Sequence, residues 1–553
     1  MDLRGRIKPF ILASLLLFLG CGGSGGAGNT ILLFNFAPPP TLEAAEVLTI
    51  VQRAALAIDD PALKIAVTDR VGRILAIWSR DPAPTNQDLN RTLSVARTAA
   101  FMSSAQGPIT TRTLETLSQF HYPPTFGALN NLPPPPGPLL DERPPQRDVT
   151  GVAGTPQGPL WQIFTSNRGA PIAGAGLTIA ETGIETFFNA PLDPAVGIPP
   201  PTRVDGTAPG PGLAYIPGSI PLYKEGRVVG SVGCFGTDFE ASEFAAIEGA
   251  RGDDTPGNPN FFFPAIPEGA IFLGGILLPY VGNASRPPGT LPGAFVGTFV
   301  VAPTDAGPAA ALALAAEARD PYGNLIGPRA DPLGMFTLAD VTRIRDQGIE
   351  QANRTRAAIR LPFGSATKMV ICVTNRDGLI LSLFRMDDAP VFSIDVCVAK
   401  ARNATYFSSA AVAPREQVPG APAGTAITAR TLGFTTQPFF PPGIDSSGIA
   451  GPLFLNVAIQ NQDPAQFNRQ AHAPFRPGLQ NGVVMFPGST PLYDASGNLI
   501  GGLGVSGDGV EQDDLVTAGA AAGFEPPEAI RADQFFFNGV RLPYYKFPQN
   551  PGN

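Results

Sequence analysis

The sequence predicts an α+β protein of two tandem domains, each an antiparallel sheet with flanking helices. Three observations predict this fold class: a length sufficient for more than one domain, an internal repeat, and helix and hairpin patterns that recur in the same order in each half. The 553 residues are 44% hydrophobic, which is enough to bury a core in each domain. The 63 Gly and 61 Pro residues predict long irregular loops within a folded chain.

The repeat emerges when the chain is aligned with itself. Residues 65–84 align without gaps with residues 371–390, and half of these positions are identical. Shorter matching blocks follow in the same order in both halves and end in Leu-Pro-Tyr. We therefore expect a first copy at residues 38–283, a connector at 284–332 and a second copy at 333–553.

Each copy opens with a predicted helix. In the second copy, Thr337 and Asp340 have the spacing of a capping box. In the first copy, apolar residues after Thr41 share one helix face, namely Leu48, Val51, Ala55 and Ile58. Two β-branched runs follow in each copy, and Gly72 or Gly378 between them suits the positive φ of a hairpin turn.

A small-residue helix is predicted next, over residues 89–102 in the first copy and 394–407 in the second. After a long loop region come a second hairpin, a glycine-rich stretch and a helix of acidic and small residues. Pro/Gly-rich insertions at residues 125–216 and 445–486 interrupt the pattern. The order helix, hairpin, helix, hairpin, helix is typical of an α+β domain with an antiparallel sheet.

The glycine-rich stretch of the second copy, GGLGVSGDGVEQDD, places Gly502, Gly504 and Gly507 at the spacing of a dinucleotide fingerprint. In a dinucleotide fold these glycines follow the first strand of a βαβ unit, whereas here they follow a late hairpin. The first copy has Ser231 at the first of the three positions. We expect a close strand-to-helix turn instead, with amide groups that can receive an anionic group of another ligand.

The first 20 residues have a basic start and a short apolar run, which indicates a secretory signal rather than a membrane-spanning helix. The segment LFLGC, ending at Cys21, resembles the lipobox of bacterial lipoproteins. This resemblance implies cleavage before Cys21, lipidation of its thiol, and an anchor in the bacterial cell envelope, on the periplasmic face or the cell surface. Residues 21–37 then form a flexible tether. The alternative is an ordinary signal that is cleaved further on.

The net charge of -8 and the absence of Lys/Arg-rich runs argue against nucleic acid as a partner. Besides Cys21 the chain has three cysteines, each in an apolar run, and these are expected to be buried, inert thiols. They are Cys234, Cys372 and Cys397.

Three motifs of the second copy, VTNRDGLILSLFRMDDAP, CVAKARNA and GGLGVSGDGVEQDDLVTAGAAA, together resemble those of the GlcG/HbpS-like haem-binding family. The first copy is a degenerate version, with Ser79 and Val95 at the places of Arg385 and Lys400. The resemblance implies a five-stranded antiparallel sheet, homo-oligomers, and haem or a related tetrapyrrole as a ligand and cofactor in some members.

The resemblance also supplies candidate ligand-binding residues in the second copy. Donors for the ligand's propionates are expected at Arg385, Lys400, Gly504, Ser506 and Gly507. His472, from an insertion, is the candidate axial ligand of a haem iron by its residue chemistry. Lys400 can equally extend its ammonium to solvent along an apolar surface. His472 and His121, the two histidines of the chain, can instead be surface or hydrogen-bonded side chains.

Other candidate groups have a functional and a structural interpretation. Tyrosinate can bind ferric haem, but a half-buried strand position explains Tyr223 and Tyr493 as well. Asp387 and Asp388 resemble an acid/base pair yet follow a strand. A cluster that resembles a metal site opens a helix, where carboxylates are stabilised by the amide dipoles; it consists of Glu511, Asp513 and Asp514.

These observations predict an envelope-anchored protein that binds haem or a related tetrapyrrole, mainly through the second copy. The alternative is a structural or interaction lipoprotein that uses the duplicated fold for protein contacts. A haem-degrading enzyme is a third interpretation, for which the sequence supplies no residues to assign a reaction.

Overall fold

A computed structural model shows two five-stranded antiparallel sheets flanked by helices, which confirms the predicted α+β class. Among the residues described, no helix combines the length and apolarity that crossing a membrane requires. The structure describes residues 40–118, 121–122, 154–161, 163, 213–214, 216–263, 271–282, 284–306, 324–412, 414–454, 457 and 483–546. Cys21 and His472 lie outside these residues.

The first sheet has the strand order β3-β4-β1-β2-β7. Its elements and those around it are α1 (Ala44–Ala57), β1 (Lys64–Asp69), β2 (Ile74–Ser79), α2 (Asn86–Met102), α3 (Thr111–Leu117), β3 (Ser219–Lys224), β4 (Arg227–Phe235), α4 (Phe239–Ala250), β5 (Phe272–Leu273), β6 (Ile276–Leu277) and β7 (Thr298–Val301).

The second sheet has the equivalent order, β11-β12-β9-β10-β8. The elements here are β8 (Asn324–Ile326), α5 (Leu338–Arg354), β9 (Val370–Asn375), β10 (Ile380–Arg385), α6 (Phe392–Phe407), α7 (Ala429–Thr435), β11 (Ser489–Tyr493), β12 (Leu499–Ser506), α8 (Val510–Ala520), β13 (Phe536–Phe537) and β14 (Val540–Arg541).

Both sheets are covered by helices on two faces. In the first, Ile65 and Val67 of β1 pack in a core with α1 and α4, while Ala66 between them packs with α2. In the second, Ile371 and Val373 of β9 share a core with α5 and α8, and Cys372 shares one with α6. This alternation follows from the period of two along a strand, and it places β1 and β9 at the centre of their domains.

The first hairpins form as predicted because their turns are specified locally. The Oδ1 atom of Asp69 accepts hydrogen bonds from the amides of Val71 and Arg73, and Gly72 has a φ of 81°. In the second copy, Asn375 accepts bonds from the amides at positions 377 and 379, and Gly378 also has a φ of 81°. A carboxylate and an amide oxygen therefore organise the same turn.

The opening helices match the prediction with one difference. The capping box of Thr337 and Asp340 is present, with the Thr337 hydroxyl accepting from the Asp340 amide at 3.1 Å. In the first copy, α1 begins after its cap Glu43, Leu48 of the predicted apolar face is only half-buried, and Ile58 lies just beyond the helix end. The buried face of α1 is formed by Val47, Ile50, Val51, Ala54, Ala55 and Ala57.

Residues 284–332, for which the sequence predicts a connector, contribute the edge strand of each sheet. β7 pairs with β2 in the first sheet, and β8 pairs with β10 in the second. β7 is largely exposed, whereas Leu325 and Ile326 of β8 are buried. Strands β7 and β8 from this segment are therefore part of the two folded domains.

The glycine stretch has a different role from the predicted turn, because Gly502 and Gly504 lie within β12. A Cβ at Gly502 would overlap the Ala401 carbonyl oxygen, and one at Gly504 would overlap that of Cys397. These two glycines bring α6 into close contact with the strand. Of the three glycines, Gly507 alone follows the strand and leads toward α8.

Candidate functional site

The two copies share a hydrophobic core at their junction. Phe101 and Met102, at the end of α2, belong to the same buried cluster as Phe392 and Val396 of α6. Polar contacts add to this core, since the Asp388 carboxylate accepts hydrogen bonds from the Ala105 and Gln106 amides at 2.6 and 3.2 Å. The junction therefore combines packing with defined hydrogen bonds.

The junction joins unlike faces of the two copies. The residues equivalent to Asp388 and to Ala105–Gln106 are Pro82 and Ala410–Ala411 by the sequence alignment, and they are exposed. A two-fold contact would bury both sets equally. The contact is therefore heterologous, the end of α2 in the first copy against the start of α6 in the second.

A small cavity lies in this junction, at the glycine motif of the second copy. Its volume is about 30 Å³. The first copy supplies an apolar wall of Met102, Ile109, Leu117 and Leu160. The second supplies Ile359, Pro390, Phe392, Ser393, Phe486, Ser506, Gly507, Asp508 and Asp513. We call this space the motif cavity; its first-copy side is apolar, and its second-copy side combines apolar side chains with a polar wall of Ser393, Ser506, Asp508 and Asp513.

Behind the polar wall, Lys400 is fully buried in an ion pair. Its Nζ atom lies 2.8 Å from Oδ2 of Asp513 and 2.9 Å from the carbonyl oxygen of Val505. The ammonium also lies 5.0 Å from the centre of the Phe486 ring. Lys400 therefore meets a carboxylate, one of its own chain, and does not extend to solvent.

A second ion-pair group connects the motif cavity with the junction. Arg360 Nη1 lies 2.8 Å from Asp388 Oδ2, and its Nε lies 3.3 Å from Asp508 Oδ2. Asp508 donates its amide to Asp513 at 3.3 Å, which links the two groups. Burial raises the pKa of Asp508, and it raises that of Asp513 to about 6 against the opposing effect of Lys400.

The structure brings some of the predicted site residues together and not others. Ser506 and Gly507 line the motif cavity, where the Ser506 hydroxyl lies 3.2 Å from that of Ser393. Lys400 does not line it but contacts two residues that do, Asp513 and Phe486. Arg385 lies elsewhere, with its Nε donating to the Ala389 carbonyl at 3.0 Å, and Gly504 packs against α6.

Sequence reasoning missed Asp508, Ser393 and the wall from the first copy. Asp508 directly follows the glycine motif, which was a usable signal. The motif pattern carries no sign of the wall, since Leu117 and Met102 come from the degenerate copy.

The other candidate carboxylates are held by basic side chains. Arg430 bonds Glu511 at 2.9 Å and Asp514 at 2.7 Å, and Lys368 lies 2.8 Å from Asp387. Within the described parts of the chain, no cluster of His, Cys, Asp and Glu side chains has an arrangement suited to a metal ion. These residues have structural partners.

The aromatic, histidine and cysteine candidates are also placed. The Tyr223 hydroxyl donates to the Ser104 carbonyl at 2.8 Å, and burial raises the pKa of both Tyr223 and Tyr493. His121 Nδ1 lies 2.6 Å from the Thr155 carbonyl oxygen. The three cysteines after Cys21 are free and buried, as predicted.

The second copy is an α+β module with a small cavity between the start of helix α6 and the end of the glycine-rich strand β12. Residues 336–522 match the family model described as haem degrading protein HbpS-like, and this segment belongs to the HbpS-like family. It makes up about a third of the chain. The first copy lies outside the matched residues.

Comparison with solved structures shows similarity over about a third of the chain. ORFY of Klebsiella pneumoniae is 21% identical over 34% of this chain and 90% of its own, with a TM-score of 0.22. The PduOC:heme complex is 20% identical over 35% and 96%, with a TM-score of 0.22. HbpS is 18% identical over 34% and 88%, with a TM-score of 0.20. A comparison with curated proteins gives no match.

Proposed function

We propose that the chain is a binding protein for haem or a related tetrapyrrole, and that the second copy holds the ligand. The observation that carries this proposal is the HbpS-like match of residues 336–522, which contain the polar wall of the motif cavity. Hydroxyl groups of Ser393 and Ser506 suit the propionates, and Phe392 and Phe486 suit an apolar ring.

The motif cavity does not fit a whole tetrapyrrole while the two copies are in contact. Its volume of about 30 Å³ is close to that of one water molecule, whereas pockets for ligands of this size measure several hundred Å³. Side chains of the first copy, among them Met102 and Leu117, close one side of the cavity. Binding therefore requires this wall to withdraw, and we assign no reaction to the site.

The small volume of the motif cavity also favours a second candidate function. A protein in which the first copy permanently covers the motif cavity of the second would serve as a structural or interaction protein. Its duplicated fold would then present surfaces to other proteins. Binding of hemin distinguishes the two functions.

The test is a hemin titration of the mature chain, followed by absorbance in the Soret region. Leu117→Ala shortens the wall of the motif cavity and is expected to tighten binding several-fold. Leu114→Ala, a matched control on the same helix, removes a buried leucine that does not line the cavity. If Leu117→Ala and Leu114→Ala change hemin binding equally, the motif cavity is not the binding site. If no form of the protein binds hemin saturably, the structural function is favoured.

Anchoring in the cell envelope is part of this proposal and rests on the lipobox-like segment before Cys21. Cys21→Ala is expected to shift the protein from the membrane fraction to the soluble fraction, or to leave it uncleaved. A wild-type protein that fractionates as soluble, with its N-terminus elsewhere, would contradict the anchor.

A further inference from the structure

A second, larger cleft lies between the copies and shares no lining residue with the motif cavity. Its volume is about 430 Å³. Six charged side chains line it, namely Arg70, Glu225, Arg227, Lys368, Asp387 and Asp388. Formal charges of both signs are equal in number, so the arrangement of the charges decides what the cleft can bind.

Half of these charges are already neutralised within the protein. Lys368 and Asp387 form an ion pair at 2.8 Å. Asp388 is paired with Arg360 at 2.8 Å and accepts two backbone amides from the first copy. These groups shape the cleft, and a ligand would have to displace an existing partner to bind them.

Arg70 lies buried in the cleft without a carboxylate partner. Its residue is 3% exposed, and its Nη1 donates to the Ala100 carbonyl oxygen. No carboxylate oxygen of the described residues lies within salt-bridge distance of Arg70. Burial lowers its pKa to about 10, so the side chain is still a cation at neutral pH. The carboxylate that acts most on Arg70 is that of Asp388, which is already paired with Arg360 at 2.8 Å. A buried guanidinium without a carboxylate of its own is costly, and a bound anionic group would supply this partner.

Glu225 and Arg227 stand at the rim, on the turn between β3 and β4. Both side chains are exposed, and neither side chain forms a hydrogen bond or an ion pair with a described residue. The two central residues of this turn have positive φ values, 53° at Glu225 and 75° at Gly226, as in a type I′ hairpin. The cleft therefore presents two unpaired cations and one unpaired carboxylate.

We propose that this cleft binds a small zwitterion of amino-acid or short-peptide size. Its carboxylate lies between Arg70 and Arg227, and its ammonium lies at Glu225. A dianion would place one negative group at Glu225, and a dication would face Arg70, so both are disfavoured. The volume of 430 Å³ lies in the range of small-molecule sites.

Calorimetric titration of the full mature chain with three matched dipeptides tests the proposal. Alanyl-alanine carries both charges, its N-acetyl form lacks the ammonium, and its C-terminal amide lacks the carboxylate. Saturable binding of alanyl-alanine below about 10 mM is expected. The acetylated form should bind more weakly, and the amide should lose binding.

Variants locate the site. Arg227→Gln is exposed and should fold normally, and it should weaken alanyl-alanine binding about tenfold. Arg376→Gln is the matched control for Arg227→Gln. Arg376, which aligns with Arg70 of the first copy, is exposed like Arg227 but lies in the second copy, outside the cleft. Hemin binding should be unchanged in Arg227→Gln, which separates this site from the motif cavity.

Three results would overturn the proposal. They are no saturable binding of alanyl-alanine, binding of the acetylated form as tight as that of alanyl-alanine, and an equal effect of Arg227→Gln and Arg376→Gln. The second result would make the cleft a site for simple anions.

Discussion

The two copies have the same framework but differ behind the glycine motif. In the second, Lys400 and Asp513 form a fully buried ion pair. At the aligned places the first copy has Val95 and Ser242, which are also buried. Both charges are absent together from the first copy, as expected if one buried charge cannot remain without the other. The pair is therefore dispensable for the fold and specific to the second copy.

In contrast, an arginine that binds two carboxylates is present at the same place in both copies. Arg112 bonds Glu240 and Glu243 at 2.7 Å each, joining α3 to α4. Arg430 makes the equivalent bonds to the start of α8. Because the degenerate copy retains this arginine and its two carboxylates, the arrangement belongs to the fold. The comparison separates charges that build the domain from charges that belong to the motif cavity.

The largest effect is expected from breaking the buried pair of the second copy. Lys400→Val leaves Asp513 buried without its partner and should lower the free energy of unfolding by about 3–5 kcal/mol. Asp513→Ser should be similarly costly. The double variant installs the residues of the first copy and should cost less than either single change. Urea unfolding followed by circular dichroism measures all three, and a double-variant loss equal to the sum of the single losses would show that the pair is not coupled.

Replacing the shared arginine is expected to have the next largest effect. Arg112→Met should lower the free energy of unfolding by about 2–4 kcal/mol. It leaves the Glu243 side chain, which is 2% exposed, buried without its cationic partner. Arg430→Met should cost somewhat less, since the Arg430 side chain is 16% exposed against 5% for Arg112. Arg251→Met, which breaks an exposed pair with Glu248, is the control and should have little effect. If Arg251→Met lowers the melting temperature most and Arg112→Met least, the structural role of the shared arginine is contradicted.

The smallest effect concerns the turn that Asp69 organises in the first copy and Asn375 in the second. Burial raises the pKa of Asp69 to about 6, above the value of about 3.9 for an unfolded aspartate. The folded state thus holds the proton more tightly, so this contribution to stability is complete below about pH 4 and is lost as the pH rises to about 6.

Asp69→Asn should therefore be more stable than the wild type at pH 7, by about 1–3 kcal/mol, and equal to it near pH 4. The reverse change, Asn375→Asp, should destabilise at pH 7, because it replaces the amide that donates to Asp331 Oδ1 at 2.9 Å by a second carboxylate. Melting temperatures between pH 4 and 7.5 check both. A stability difference for Asp69→Asn that does not change with pH would contradict the raised pKa.

Apart from the two five-stranded antiparallel sheets, which the repeat and the family resemblance predicted, the features that the sequence predicted correctly are local ones. The turn at Gly72, the turn at Gly378 and the capping box of Thr337 each depend on residues within four positions. Features that depend on distant residues could not be found in this way. Lys400 and Asp513 are 113 positions apart, and both were singled out without being paired.

The candidate site was predicted in part for the same reason. Ser506 and Gly507 follow from the motif, but its apolar wall comes from Leu117 and Met102 of a copy whose own motif has degenerated. The edge strands were missed because β8 has only three residues and because both strands lie in what reads as a linker. Pairing with a neighbouring strand, rather than local propensity, makes these segments strands.

The heterologous junction has a consequence for the divergence of the duplicated halves. Separate identical subunits joined through unlike faces must each conserve both faces, since a substitution in one appears in all of them. Fusion in one polypeptide removes this constraint, because each half is encoded separately and needs only the face that it uses. In this chain the first half has no equivalents of Lys400 and Asp513, while its backbone amides at Ala105 and Gln106 bind Asp388. Covalent linkage therefore allows the two halves to differ at these faces, which identical separate subunits cannot do.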